Sequence, residues 1–261
     1  MNKLRRSPFH QLGLLKLFRN SSVTSSPCPI LQQMYCETMI STPSFRKYSS
    51  LTKSSGRWLE RQRRDAFVKK AKIEGYRSRA AYKLLEINEK CGKFLEKSKI
   101  IIDLGAAPGS WSQVAAEKMK SNSKLITIDI LDMEPIQSPE NKNIKIIHLK
   151  GKFEESIPQI RSYLNEDEYA DCILSDMAPN TSGVKTLDHN RIIFLCNAAI
   201  DFAFEVLKQG GCLLMKIFSG SEDSVLRNEL KQYFEDVQFI KPASSRSESS
   251  ETYVFAKGFK V

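Results

Sequence analysis

The sequence predicts an α/β protein with a seven-stranded, mostly parallel sheet, helices on both faces and an antiparallel hairpin at one edge. Three observations carry this expectation. From residue 99 onward, short apolar runs alternate with stretches of helical periodicity. A glycine-rich turn at 105–109 joins the first such run to the helix after it. The last two apolar runs are separated by a segment too short for a crossover helix, which only an antiparallel pair allows.

Residues 57–72 read as a helix dense in Arg and Lys, with Trp58, Phe67 and Val68 as apolar contacts. Gly75 stops it. Ser78 is placed to cap a second helix at 79–89, where Ala81, Leu84, Leu85 and Ile87 keep a 3.6-residue period. Strands follow at 99–104, 124–128, 144–149, 171–174 and 212–218. Between them lie helices at 111–119, 153–164 and 187–207, the last closed by Gly210 and Gly211. A helix at 224–234 precedes the final strands, 237–240 and 252–256. Buried strands alternating with helices make a parallel sheet covered on both sides.

The chain has 261 residues, enough for one domain and a leader, which places the folded domain at 54–261 with its basic helices at 57–90. Hydrophobic residues at 41% and charged residues at 27% fit a soluble globular protein, and no apolar run reaches membrane-spanning length. The net charge of +10 is unevenly placed. Residues 1–50 carry 7 basic and 1 acidic side chains, 51–99 carry 15 and 6, and 100–261 carry 18 and 23. A basic face near the start of the folded part therefore points to a polyanionic partner. Residues 1–50 are basic, rich in Ser and poor in acid, the composition of a mitochondrial transit peptide or of a disordered basic tail. Six scattered cysteines without a C-x-x-C pair argue against a metal site and fit a reducing compartment.

The segment IIDLGAAPGSWSQ is neither a P-loop nor the dinucleotide pattern, because Ala107 stands where the latter wants its second glycine. Gly105 permits a tight turn and close approach of a ligand, and Pro108 stiffens the loop. Asp129, at the end of the next strand, lies where such folds grip ribose hydroxyls. A nucleoside cofactor without a pyrophosphate, such as S-adenosylmethionine, fits this place; a purely structural turn is the other reading. Charged residues beside buried strands form the second signal. Lys216 lies inside the apolar run CLLMKIF, Asp176 directly follows a strand, Glu251 opens the last one, and Lys83 lies in the second basic helix. A buried lysine needs a carboxylate partner. The group is either a structural ion pair or an acid–lysine cluster able to handle a proton.

Six segments together resemble the FtsJ/RrmJ family of ribosomal RNA ribose 2′-O-methyltransferases: SSGRWLERQRRDAFVKKA, YRSRAAYKLLEI, DLGAAPGSWSQ, SDMAPNTSG, LLMKIF and KPASSRSESSETYVFAKG. The resemblance runs from about 54 to 260. It implies a Rossmann-like class I S-adenosylmethionine-dependent methyltransferase. It also implies a catalytic tetrad of Lys83, Asp176, Lys216 and Glu251, in which Lys216 acts on the 2′-hydroxyl. By the same resemblance the cofactor is bound by Asp103, Gly105, Ala106, Pro108, Gly109, Ser110, Trp111, Asp129, Asp176 and the segment Gly151, Lys152, Phe153. Ser110 replaces a common glycine. Lys152 replaces an acid associated with the adenine amino group and cannot accept a hydrogen bond, so a backbone carbonyl or another side chain is expected to do so, within this loop and not through Lys152 itself. The opening segment resembles the ribosomal branch, and GSED, shortly after Phe218, resembles its mitochondrial members. The implied substrate is a uridine of mitochondrial large-subunit rRNA, in the A-loop of the peptidyl-transferase centre, within a ribosomal precursor particle in the matrix. A tRNA methyltransferase and an assembly factor of the same fold are the alternatives. A monomer is expected.

Arg57, Arg61, Arg63, Arg64, Lys69, Lys70, Arg77 and Arg79 are expected to line an RNA-binding strip, and Ser245 and Arg246 to touch substrate near Glu251. Tyr82 is either a base-stacking platform or a core aromatic.

Overall fold

A computed structural model describes residues 60, 62–179, 185–220, 223–246 and 248–260. The leader, Arg57, Trp58 and Arg61 lie outside these residues. Glu60 and residues 62–65 belong to a separate compact unit, in which Arg64 Nε pairs with Glu60 Oε1 at 2.7 Å. The fold below is that of the unit beginning at Ala66.

Its elements are α1 (Ala66–Glu74), α2 (Ala80–Lys90), α3 (Phe94–Lys97), β1 (Ile100–Leu104), α4 (Ser110–Lys118), β2 (Lys124–Asp129), β3 (Lys145–Lys150), α5 (Ile157–Ser162), β4 (Ala170–Ser175), α6 (Lys185–Val206), β5 (Leu207–Phe218), α7 (Asp223–Tyr233), β6 (Phe234–Ile240) and β7 (Glu251–Phe259). Seven strands form one sheet in the order β3-β2-β1-β4-β5-β7-β6. The first five run parallel; β7 is antiparallel to both β5 and β6. This is the expected sheet, with the hairpin at its edge.

The boundaries differ where local chemistry competes. The helix starts one residue later than expected, with Arg79 at its N-cap and no capping side chain there; Ser78 Oγ accepts from Ala80 N at 3.2 Å, from the residue before the cap. Helical structure at 153–164 is split into a 3₁₀ turn (Phe153–Glu155) and α5, because Pro158 has no N–H to continue a single ladder. Gly210 and Gly211 do not close a helix. They lie within β5 at a bulge, where Ala170 faces Leu207 and Cys172 already faces Cys212, and Gly210 takes the positive φ of 77°.

One face of the sheet is covered by α2, α3 and α4, whose Leu84, Ile87, Leu95 and Val114 pack on Ile101, Leu174 and Phe255. Full burial of each such side chain stabilises by about 1.5–3 kcal/mol. All polar functional groups discussed next sit where this packed frame ends, at or near the carboxyl ends of the parallel strands.

Candidate functional site

The parallel register of β4 and β5 brings Ser175 beside Met215, so the next residues, Asp176 and Lys216, come level. The antiparallel register of β5 and β7 sets Lys216 opposite Tyr253 and Phe218 opposite Glu251. Side chains alternate along a strand, so Glu251 and Tyr253 share one face with Lys216. From α2, Lys83 reaches the same place. The result is a continuous chain of contacts. Lys83 Nζ lies 2.6 Å from Glu251 Oε1, and Tyr253 Oη lies 3.1 Å from that oxygen. Tyr253 Oη is also 3.0 Å from Asp176 Oδ1. Lys216 Nζ donates to Asp176 Oδ1 at 3.0 Å and to the Asp176 carbonyl at 2.5 Å. Lys83 and Lys216 keep 9% and 7% of their surface, too little for water to solvate their charges, so the carboxylates must.

Burial raises the Glu251 carboxyl, but the charge and hydrogen bond of Lys83, with Lys216 and the Tyr253 hydroxyl, outweigh it and hold the group below its ordinary value. Burial, reinforced by Asp176 and Glu251, pushes the Tyr253 phenol well above its ordinary value, so it remains a donor. Tyr253 was not singled out from the sequence, although its position two residues after Glu251 in a strand is the signal that places both on one face. Its one proton bridges two carboxylates. Tyr253→Phe removes one hydrogen bond from the network, and kcat is expected to fall about 3- to 10-fold with KM little changed, the size of one net hydrogen bond. An unaltered kcat would show that the carboxylates are held without it.

The second half of the site is the turn after β1. Gly105 N and Ala106 N donate to Ile128 O at 2.9 and 3.1 Å. Asp129 Oδ2 accepts from Ala107 N and Oδ1 from Leu131 N, both at 2.8 Å. Each oxygen keeps a lone pair for a ribose hydroxyl. Gly105 has a φ of 71°, and a Cβ there would fall 2.5 Å from Met177 Cγ. Close approach is thus required, but it is made by the segment after Asp176 and joins the two halves of the site. Asp103 is fully buried at the end of β1. Its Oδ2 accepts from Ser112 Oγ at 2.6 Å, while Oδ1 has no partner. Burial pushes its carboxyl up to about 7, against the Ser112 hydrogen bond and with help from Asp176 and Asp129.

Three other expected cofactor residues, Trp111, Ser110 and Phe153, face inward. Trp111 is buried, donates to Ala80 O at 2.9 Å and lies 5.6 Å from the Tyr253 ring. Ser110 Oγ is 2.8 Å from Ser78 Oγ, so the departure from glycine is used to tie α4 to the start of α2. The Phe153 ring is buried edge-on against Phe202 at 5.7 Å. Lys152 is exposed, its Nζ 3.5 Å from Glu155, while its carbonyl accepts from Ser156 Oγ. Gly151 N donates to Asp129 O at 2.9 Å, which keeps that loop beside the end of β2. Pro108 is exposed beside Gly109.

The expected RNA-binding residues divide. Lys69 and Lys70 are exposed on α1, Lys70 at 4.6 Å from the Tyr82 ring centroid. Tyr82 is a core aromatic: it is 4% exposed, packs on Phe67 and Tyr76, and donates to Glu74 at 2.8 Å. Arg63 and Arg64 belong to the separate unit. Arg79 does not point freely outward but donates to the Ser244 carbonyl. Glu86, absent from the sequence reading, accepts from Ala243 N and Ser244 N at 2.7 and 3.0 Å. Both therefore fasten the Ser-rich loop before Glu251 to α2. In that loop Arg246 is half-buried and Ser245 Oγ is buried without a partner. The guanidinium of Arg77 is likewise turned inward, onto three backbone carbonyls. Among the described residues no group of His, Cys, Asp and Glu could hold a metal, and no helix is long and apolar enough to cross a membrane.

The chain is similar to known proteins over most of its length. The FtsJ-like methyltransferase family matches residues 76–259. The chain is 48% identical over 210 residues to a Rickettsia akari (strain Hartford) protein described as ribosomal RNA large subunit methyltransferase E, covering 78% of this chain and 89% of the relative. It is 44% identical over 213 residues to the Legionella pneumophila (strain Corby) protein of the same description, covering 81% and 100%. A crystal structure from Plasmodium falciparum, described as a ribosomal RNA methyltransferase, superposes with a TM-score of 0.58 at 34% identity, covering 70% of this chain and 98% of that one.

Proposed function

The chain belongs to the FtsJ-like methyltransferase family and is an S-adenosylmethionine-dependent methyltransferase; from that premise we propose that it methylates the ribose 2′-hydroxyl of a uridine in mitochondrial large-subunit rRNA, in the A-loop of the peptidyl-transferase centre. The observation that carries the chemistry is the unbroken Lys83–Glu251–Tyr253–Asp176–Lys216 chain beside the glycine-rich turn. The ribosomal RNA substrate is supported by the descriptions of the relatives above. The mitochondrial matrix is supported by the basic, acid-poor residues 1–50 and by the GSED segment.

The residues present fit the cofactor. The orphaned Asp103 Oδ1 calls for a donor, Asp129 keeps free lone pairs, and the turn at 105–109 is bare of large side chains. Asp103, Asp129 and the backbone of the turn would hold it, and when bound it supplies a methyl group on a positive sulfur. The chain's own task is to align the hydroxyl and receive its proton. The two hydrogen bonds from Lys216 to Asp176 fix its Nζ and leave one position on it for the substrate hydroxyl. Lys216 enters the step as the free amine, its proton released to solvent beforehand: the O–H bond breaks as an N–H bond forms on Nζ, and Asp176 and Glu251 stabilise the ammonium that results. Tyr253 orients both carboxylates, and Glu251 holds Lys83 as a second positive charge near the reacting oxygen.

Labelled methyl groups offered with mitochondrial ribosomal particles, bare rRNA and tRNA test this reading. Label is expected on a large-subunit uridine, mapped by resistance of its 3′ linkage to alkali. Label on tRNA would keep the chemistry and replace the substrate. No label on any RNA would defeat the proposal.

A further inference from the structure

We infer that Arg77 is a positioning residue for the cofactor site, holding the two loops that form its rim in register, and not a contact for RNA; this rests on the methyltransferase reading above. The two loops come from different connections of the sheet. One is the turn 105–109 between β1 and α4; the other follows β2 and carries the chain on from Asp129. Nothing in the sheet ladder fixes one against the other beyond the ends of the strands. On the crevice side the tie is Asp129, which accepts from Ala107 N on one loop and Leu131 N on the other.

Arg77 supplies the tie on the far side. Its Nη1 donates to Pro108 O at 2.9 Å and to Glu134 O at 2.6 Å, and its Nη2 donates to Pro135 O at 2.7 Å. One planar group thus bridges the glycine-rich turn and the segment beyond Asp129. A fork of fixed donors can reach three carbonyls at once, which the single point of a lysine ammonium cannot. Arg77 is itself held in place: its backbone N donates to Gln113 Oε1 at 2.9 Å, and Gln113 Nε2 donates to Gly75 O at 3.1 Å. Gly109 completes the arrangement. Its φ is 105°, and a Cβ there would lie 2.6 Å from Arg77 Nη1 and 2.7 Å from Ile136 Cδ1. The absence of a side chain at 109 lets the guanidinium lie against the turn.

The test compares the wild-type full chain with Arg77→Lys, and with Arg77→Gln should the first not fold. Affinity for S-adenosylhomocysteine is measured by calorimetry, RNA binding across a salt series, and KM for S-adenosylmethionine alongside kcat. With two of three hydrogen bonds lost, cofactor affinity is expected to drop and KM to rise about 10-fold, with kcat near wild type and the salt slope of RNA binding unchanged. Cofactor affinity within twofold of wild type overturns the inference, whether it comes with a shallower salt slope, which would make Arg77 a phosphate contact, or with a lower melting temperature alone. Wild-type protein that fails to bind S-adenosylhomocysteine would instead defeat the reading on which the inference stands.

Discussion

Lys216→Ala abolishes methyl transfer to RNA, with a loss of about 10²–10⁴-fold or more expected for removal of the group that takes the proton. Cofactor affinity stays within about twofold, because among the described residues Lys216 makes no hydrogen bond to the turn that would hold the cofactor. The variant has a structural cost too. Asp176 loses its lysine partner and retains only the Tyr253 hydroxyl at Oδ1. Removing one partner of a buried pair destabilises by about 3–5 kcal/mol, so the comparison is made below the variant's melting temperature. Lys216→Met fills the same volume and keeps the packing, and it is expected to be equally inactive. Wild-type turnover of either variant on the RNA that the native protein labels would remove Lys216 from the chemistry.

Asp103→Asn gains stability and loses cofactor affinity. The carboxyl of Asp103 is ordinarily near 3.8 and is pushed by burial to about 7. Between these values the folded state holds a proton that the unfolded chain has released. Stability therefore falls as pH rises through that window and stays lower above about 7. The shift corresponds to at most about 4 kcal/mol, because the interior relaxes around the charge. An amide at this position bears no charge and can still accept from Ser112. The variant is thus expected to melt about 5 °C or more above wild type at pH 8 and at nearly the same temperature at pH 4.5. Its affinity for S-adenosylmethionine is expected to fall about 10-fold or more, through the loss of a buried anion from the cofactor's edge. An equal melting-temperature difference at both pH values would show that Asp103 is not the source of the strain. A wild-type enzyme that keeps a buried, half-satisfied carboxylate gives up stability at the place where it needs charge.

Much of this arrangement was legible in the order of residues. The alternation of apolar runs with helical periods, the glycine-rich turn and the short final connection specify the sheet and its edge hairpin through local geometry alone. Lys216 declared itself because an unpaired lysine in an apolar strand is too costly to keep. Other features were out of reach. Arg77 and Arg79 look like any basic residues near a basic helix, and their partners are backbone carbonyls 31 to 165 residues away. Backbone carbonyls leave no trace in composition, so charge alone assigned both to RNA. Glu86 was missed for the same reason, its partners being the amides of Ala243 and Ser244. Tyr82 was ambiguous because a helix period does not say which aromatic faces the core.

The sequence by itself determined the fold class through periodicity and marked Lys216, with Asp176 and Glu251 as its candidate partners, through the cost of burying a charge; Lys83 joined them through the resemblance to the family, and Asp129 through its place at a strand end. Only the tertiary structure decided that Tyr253 bridges Asp176 and Glu251, that Asp103 keeps an unmatched oxygen, and that Arg77 turns from the surface to the cofactor turn. These depend on the register between β5 and β7 and on loops meeting at the ends of parallel strands. Such contacts join residues far apart in the chain, where no local pattern records them.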